Sequence, residues 1–218
     1  MLPAEAEWLG RRILGLDPEN AFPMLNIGSS TGNFVTVAQP WIAEQIFAPL
    51  RARGSSVLNC DIKSAPGVDL VGDLQDPVFL QQLAERRFKS VLCSNLLEHV
   101  ENRAAIAKTL VSVIPSGGYL FVSGPYSYPH HADPIDTLFR PTPAELAALF
   151  PGTRVLASEI VDCGTYWEYV TRTPTKFVKS VVRLGMPFYQ PKDWRNAVLR
   201  LGWLFRQFRS VCVLLEKV

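Results

Sequence analysis

The chain has 218 residues, of which 48% are hydrophobic and 19% charged, and its formal net charge is +2. This apolar content can bury a core, so the composition excludes intrinsic disorder as the main state, and the length favours one domain over residues 1–218. No apolar run reaches the roughly 18 residues that a bilayer span needs, and the N-terminus lacks the basic-then-apolar order of a signal peptide. The composition therefore predicts a soluble, cytoplasmic protein.

Short apolar runs alternate with helical patterns through the first half of the chain. Five strands are predicted: Met24–Ile27, Ser56–Cys60, Val68–Val71, Ser90–Cys93 and Tyr119–Val122. Four helices are predicted: Ala4–Leu16, Trp41–Arg53, Pro77–Arg87 and Glu98–Ile114. Short apolar strands that alternate with helices are typical of parallel βαβ units whose sheet is buried on both faces.

The second half of the chain continues this pattern with one long interruption. Thr142 and Glu145 form a capping box, which predicts that a helix begins there. Arg154–Val161 and Ser210–Leu215 predict two more strands, and residues 163–209 between them form a basic, helical insertion. The sequence therefore predicts an α/β fold with a Rossmann-like, doubly wound, mostly parallel seven-stranded sheet, helices on both faces and a helical insertion before the last strand.

Small and polar residues follow each of the first four predicted strands. In strand order they are Gly28, Ser29, Ser30, Thr31 and Gly32; Asp61 and Ile62; Asp73 and Leu74; and Ser94, Asn95, Leu97 and His99. Ligands of open α/β sheets bind outside the carboxyl ends of the strands. Small residues there let the backbone turn sharply and approach a ligand. The sequence therefore predicts one ligand site built from these four segments.

This order of segments resembles the class I S-adenosylmethionine (SAM)-dependent methyltransferases, in particular their small methyltransferase-domain group, from Met24 to Val122. In that family the first loop reads acidic-x-Gly-x-Gly-x-Gly. Here Asn26 takes the acidic position and Ser30 the place of the middle glycine. The resemblance implies SAM as the cofactor, with its methionine part between residues 28–32 and 94–99, and its ribose on Asp61.

The resemblance also implies that Asp73 and Leu74 lie beside the adenine. Structural roles remain open for the same positions. Asp61 and Asp73 could be turn formers at strand ends. Glu98 suits the positive end of a helix, and His99 could be a packed or capping residue there.

A second cluster of polar residues follows the fifth predicted strand. His130, His131 and Asp133 lie in this loop, and they are the predicted catalytic residues. A hydroxyl must lose its proton when its oxygen attacks a sulfonium methyl group, and histidine suits that role. The spacing fits no fixed rule for metal ligands, so no metal site is predicted. In the structural alternative, the histidines cap the loop and Asp136 pairs with Arg140.

The late segment is strongly basic. Residues 172–209 hold nine Lys or Arg and one acid, a net +8, whereas the remaining 13 basic and 19 acidic residues give −6. Its helical pattern is amphipathic, and basic amphipathic helices with exposed Trp or Leu lie on anionic membranes. The sequence predicts a peripheral anionic-membrane contact through residues 173–209, with Leu199 and Trp203 in the lipid. The alternative is a lid whose cations face water. No nucleic-acid module is recognised, so no nucleic-acid partner is predicted.

Together these features predict a SAM-dependent methyltransferase that methylates the oxygen of a small hydroxylated acceptor, such as a saccharide or a lipid-linked molecule. Two alternatives remain. A nicotinamide-dependent oxidoreductase is disfavoured because Asn33 stands where GxGxxG requires its last glycine. A non-catalytic methyltransferase-like scaffold would explain the departures at Asn26 and Ser30.

Overall fold

The computed structural model describes residues 1–130, 135–171, 174–186, 188, 191, 194–195, 198 and 201–218. Seven strands form one sheet: β1 Met24–Ile27, β2 Val57–Asp61, β3 Leu70–Val71, β4 Ser90–Ser94, β5 Tyr119–Ser127, β6 Thr153–Thr165 and β7 Gln207–Lys217. Their order is β3-β2-β1-β4-β5-β7-β6. The strands β1 to β5 run parallel, and β7 lies antiparallel between β5 and β6. The predicted doubly wound, seven-stranded fold is thereby confirmed.

Helices cover both faces of the sheet. Their bounds are α1 Pro3–Leu14, α2 Pro18–Ala21, α3 Pro40–Ile42, α4 Ala48–Ala52, α5 Pro77–Glu85, α6 Arg103–Ser112, α7 Pro143–Ala148, α8 Tyr166–Thr171 and α9 Pro174–Leu184. Two π-helical turns, Phe34–Ala38 and Ala43–Phe47, lie beside α3, and Leu97–His99 is a 3₁₀ turn. The predicted capping box opens α7, since the Thr142 hydroxyl accepts from Glu145 N–H and Glu145 accepts from Thr142 N–H.

The core has two layers because successive strand residues point to opposite faces. Leu25 and its neighbours pack against α5, α6 and α7. Met24 and its neighbours pack against α1 and the helical run through α3 and α4. All four residues of β1 are buried. Three of them are apolar, and the fourth, Asn26, donates its side-chain N–H to Asn59 Oδ1 at 2.9 Å.

The predicted long helix Glu98–Ile114 is wrong. The chain makes the 3₁₀ turn, becomes extended at Val100, and starts α6 only after Asn102. The Asn102 side chain accepts a hydrogen bond from Ala105 N–H at 3.1 Å, so this residue caps a new helix. The third strand is also shorter than predicted, with two residues at the edge of the sheet.

The predicted insertion lies between β6 and β7 and contains α8 and α9. The two strands extend into its ends, where Thr165 pairs with Gln207 and Asp162 with Arg209. Within the described residues, no helix combines the length and apolar character that a membrane span needs.

Candidate functional site

A cavity of about 640 Å³ runs along the carboxyl edge of the sheet, from Leu74 after β3 to Ser210 in β7. Cavities of this size hold nucleotide-sized ligands. Most of the residues predicted to bind the cofactor line it: Gly28, Ser29, Ser30, Asp61, Ile62, Asp73, Leu74, Ser94, Asn95 and His99. The structure therefore brings the segments after the first four strands to one space.

The loop after β1 folds tightly over this space. Gly28 has φ +68°, and a Cβ there would stand 3.3 Å from Leu96 Cδ1. Ser30 has φ +58°, in the left-handed region that glycine occupies without steric cost. The position that carries glycine in the resembled motif therefore keeps a glycine-like backbone even though the residue is serine.

Asp61 supports this loop from the end of β2. Its Oδ2 accepts a hydrogen bond from Ser30 N–H at 2.9 Å, and its Oδ1 accepts from Lys63 N–H at 3.1 Å. A carboxylate has about four acceptor positions, so each oxygen can accept one more donor. Asp61 therefore forms a turn, as the structural alternative expected, and also keeps the capacity to bind two ligand hydroxyls.

Three of the residues predicted to bind the cofactor, Thr31, Gly32 and Leu97, are not among the residues that line the cavity. The Thr31 hydroxyl accepts from Phe34 N–H at 3.2 Å, and Gly32 N–H donates to the Pro66 carbonyl at 2.8 Å. Leu97 is buried in the core. These residues hold the two loops in shape. Asp73 lines the cavity and also accepts from the Gln75 N–H at 2.9 Å.

Glu98 is a buried carboxyl beside the cavity. It is 1% exposed, and neither of its side-chain oxygens has a hydrogen-bond partner among the described residues. His99 Nε2 lies 3.8 Å from Glu98 Oε1. Burial raises the pKa of Glu98 to about 7, although its own backbone N–H, His99 and Arg140 lower this pKa. A carboxyl with a pKa near 7 can both donate and accept a proton near neutral pH.

The loop after β5 is fixed to the same segment. The Thr137 N–H and hydroxyl both donate to the Glu98 backbone carbonyl, at 2.9 and 2.8 Å. His99 Nδ1 contacts the Ile135 carbonyl. Arg140 makes the predicted ion pair with Asp136, with its Nη2 2.7 Å from Oδ2. The loop therefore lies against the end of β4.

Two of the three predicted catalytic residues, His131 and Asp133, lie outside the described residues. His130 is exposed, and it is not among the residues that line the cavity. The described part of this loop contributes Tyr128 to the cavity wall instead.

The contribution of α1 to the site was not predicted from the sequence. Leu2, just before α1, lines the cavity, and Glu5 in its first turn is 0% exposed. Pro3 at the first helical position with Glu5 two residues later is the usual pattern of a helix start. This pattern predicts that Glu5 caps the helix. It does not predict that Glu5 contacts distant strands, because no local sequence pattern indicates such contacts.

Solved structures with the same fold include methyltransferases and a cyclase. Coclaurine N-methyltransferase bound to N-methylheliamine and SAH has a TM-score of 0.58 and 12% identity, covering 98% of this chain and 70% of that one. A SAM-dependent methyltransferase from Archaeoglobus fulgidus has a TM-score of 0.53 and 14% identity, covering 97% and 94%. The [4+2]-cyclase SpnF has a TM-score of 0.51 and 15% identity, covering 97% and 80%.

At these identities the likeness shows the fold, which is that of the class I SAM-dependent methyltransferases. No protein-family model matches the sequence, and no curated protein matches it. The cyclase shows that this fold hosts more than one reaction.

Proposed function

We propose that this chain binds SAM along the carboxyl edge of the sheet and transfers its methyl group to the oxygen of a small hydroxylated acceptor. The observation that carries the proposal is the arrangement of Asp61. Its carboxylate lies in the cavity wall under the Gly28–Ser30 turn, with one backbone donor on each oxygen. A ribose with two adjacent hydroxyls matches the remaining acceptor positions.

The rest of the cavity suits the other parts of this cofactor. Leu74, Val100 and Ile106 give an apolar wall near β3, where an adenine ring would pack. Ser94 and Asn95 give polar groups at the end of β4. When bound, SAM supplies an electrophilic methyl group on its sulfonium sulfur.

The protein's own task is to orient the acceptor and to take its proton. We propose this role for the loop that carries His130, His131 and Asp133, because its described part is fixed against the end of β4 and contributes Tyr128 to the cavity. A histidine takes up and releases a proton near neutral pH. The acceptor would be a hydroxylated small molecule, such as a saccharide or a lipid-linked compound.

Calorimetry with S-adenosylhomocysteine (SAH), the demethylated product, tests the proposal. Wild type should bind SAH and not NAD. Asp61→Ala should weaken binding by about 1.5–3 kcal/mol, roughly 10- to 150-fold, because charge-assisted hydrogen bonds are lost. Glu101→Ala is the control, since Glu101 is an exposed acid outside the cavity lining. Binding of NAD, or no nucleoside binding by wild type, would contradict the proposal.

We also propose that the chain is a single domain spanning residues 1–218 and that residues 163–209 form a lid on it. Within this lid, residues 173–209 would lie on an anionic membrane surface. The protein would then be cytoplasmic and peripheral to the membrane. Exposed apolar side chains support this contact. Phe188 is 95% exposed and Phe205 81%. On α9, Val178, Val181 and Val182 are each more than half exposed.

The side chains expected to enter the lipid differ from the sequence-based expectation. Leu199 lies outside the described residues. Trp203 packs against Phe208, with 6.1 Å between ring centroids, so Phe188 and Phe205 replace it as the candidate lipid contacts.

Cosedimentation with vesicles tests the membrane contact. Wild type should pellet with anionic vesicles at low salt and less at high salt, because each Lys or Arg near such a surface contributes about 1 kcal/mol before screening. The Phe188→Ser/Phe205→Ser variant should pellet less. Val78→Ser, at an exposed position of α5, should behave as wild type. Wild type that stays in the supernatant in every condition would refute the contact.

A further inference from the structure

The first turn of α1 places a carboxylate at the carboxyl edge of the sheet. Glu5 is 0% exposed and accepts four hydrogen bonds. The donors are Leu2 N–H at 2.9 Å, Asn95 Nδ2 at 2.7 Å, Ser123 Oγ at 2.7 Å and Ser210 Oγ at 3.1 Å. One side chain therefore joins α1 to β5, β7 and the loop after β4. Four donors around two oxygens match the acceptor-only chemistry of an ionised carboxylate.

This contact decides which way the Asn95 amide faces. A carboxylate accepts hydrogen bonds, so the amide nitrogen of Asn95 must point at Glu5 and the amide oxygen must point away from it. Asn95 has φ +51° and lines the cavity. Among the described residues, none donates a hydrogen bond to its Oδ1. The fixed amide thus leaves an acceptor for a ligand.

The position of Asn95 along the sheet indicates which part of a ligand meets it. The strands β2 and β4 flank β1, and neighbouring strands lie about 4.8 Å apart, so Asp61 and Asn95 stand about 10 Å apart along the edge. SAM has its nucleoside at one end and, at the other, an amino-acid chain with an ammonium group. With the ribose on Asp61, the amino-acid end extends toward β4.

We propose that Glu5 is a positioning residue that makes Asn95 present its amide oxygen to the ammonium group of the cofactor's amino-acid chain. This inference rests on the proposed function. Glu5 itself touches no cofactor in this account. Its second effect is to hold Leu2, which lines the cavity, so the first turn of α1 becomes part of the site.

Two ligands separate this role from a general role in folding. SAH carries the amino-acid chain, and 5′-methylthioadenosine has the same nucleoside and sulfur without that chain. Glu5→Gln should lower the SAH affinity about ten- to a hundredfold in calorimetry, since a hydrogen bond to a charged group is lost. The affinity for 5′-methylthioadenosine should stay within about twofold of wild type. Glu7→Gln, at an exposed position of the same helix, should change neither affinity.

Variants at Asn95 give an independent test if Glu5→Gln folds poorly. Asn95→Ala should show the same selective loss of SAH affinity. Asn95→Asp places two carboxylates in contact and should bind SAH more weakly than wild type. In the double variant E5Q/N95D, the amide introduced at position 5 donates to the carboxylate introduced at position 95. The contact again joins a donor and an acceptor, so this variant should recover the SAH affinity.

The possible failures are distinct. Equal loss of affinity for both ligands in Glu5→Gln and Asn95→Ala would show that these residues only support the fold, and would overturn the inference while SAM binding stands. An unchanged SAH affinity in both variants would overturn it as well. If wild type binds neither ligand, the proposed function itself fails.

Discussion

Replacing Glu98 with Gln removes a buried carboxyl that finds no hydrogen-bond partner among the described residues. Burial raises the pKa of Glu98 from 4.5 to about 7 in the folded protein. A backbone N–H, His99 and Arg140 lower it, and Glu5 raises it further. Because the folded state holds this proton more tightly than the unfolded chain, the carboxyl contributes stability below pH 4.5, and that stability is lost as the pH rises through 7.

The size of this effect follows from the two pKa values. A shift of about 2.5 units corresponds to about 3 kcal/mol, since one unit is worth 1.36 kcal/mol. Gln does not titrate. The free energy of unfolding of Glu98→Gln should therefore rise relative to wild type by about 3 kcal/mol between pH 4.5 and pH 8.

Urea unfolding at several pH values measures this difference directly. Glu101→Gln is the matched control because Glu101 is exposed and only three residues away, and it should follow the wild-type pH dependence. The charged groups that act on Glu98 are Glu5, His99 and Arg140. They are present in all three proteins, as is Cys93, whose pKa Glu98 helps to raise. Parallel stability curves for wild type and Glu98→Gln would refute the reasoning.

Two further predictions concern the loops of the site. Ser30→Gly should raise the free energy of unfolding by about 1 kcal/mol in urea titration, because φ +58° strains a residue with a Cβ; a loss of stability would contradict this. His130→Ala and His131→Ala, singly and together, should lower methyl transfer once an acceptor is found, while SAH affinity stays within about twofold, because the loop would serve the acceptor. Equal losses of turnover and SAH affinity would instead place the loop in the cofactor wall.

The sheet was predictable because its central strands are buried on both faces. Met24–Ile27 and Ser90–Ser94 are almost entirely buried, so each reads as a short, mostly apolar segment that ends at turn residues. The helix predicted from Glu98 to Ile114 failed for a local reason. Asn102 caps a new helix, and the sequence pattern alone did not distinguish this cap from a residue inside a helix.

The cavity was predictable in part because ligands of open α/β sheets bind outside the carboxyl ends of the parallel strands. This rule predicted that Ser30 and Asp61 lie close together although they are 31 positions apart. It did not apply to Glu5, which lies in a helix before the first strand. Its partners in Asn95, Ser123 and Ser210 are 90, 118 and 205 positions away, and no local pattern reports such contacts. The burial of Glu98 likewise depends on the loop after β5, which contacts its backbone through Thr137.

A crystal structure of the protein with SAH tests the central claim most directly. We expect the nucleoside in the cavity along the carboxyl edge of the sheet, with both ribose hydroxyls on Asp61 and the adenine beside Leu74. The amino-acid chain should run under the loop after β1 toward Asn95. A nucleoside bound elsewhere, or bound in the cavity with its ribose away from Asp61, would contradict the account.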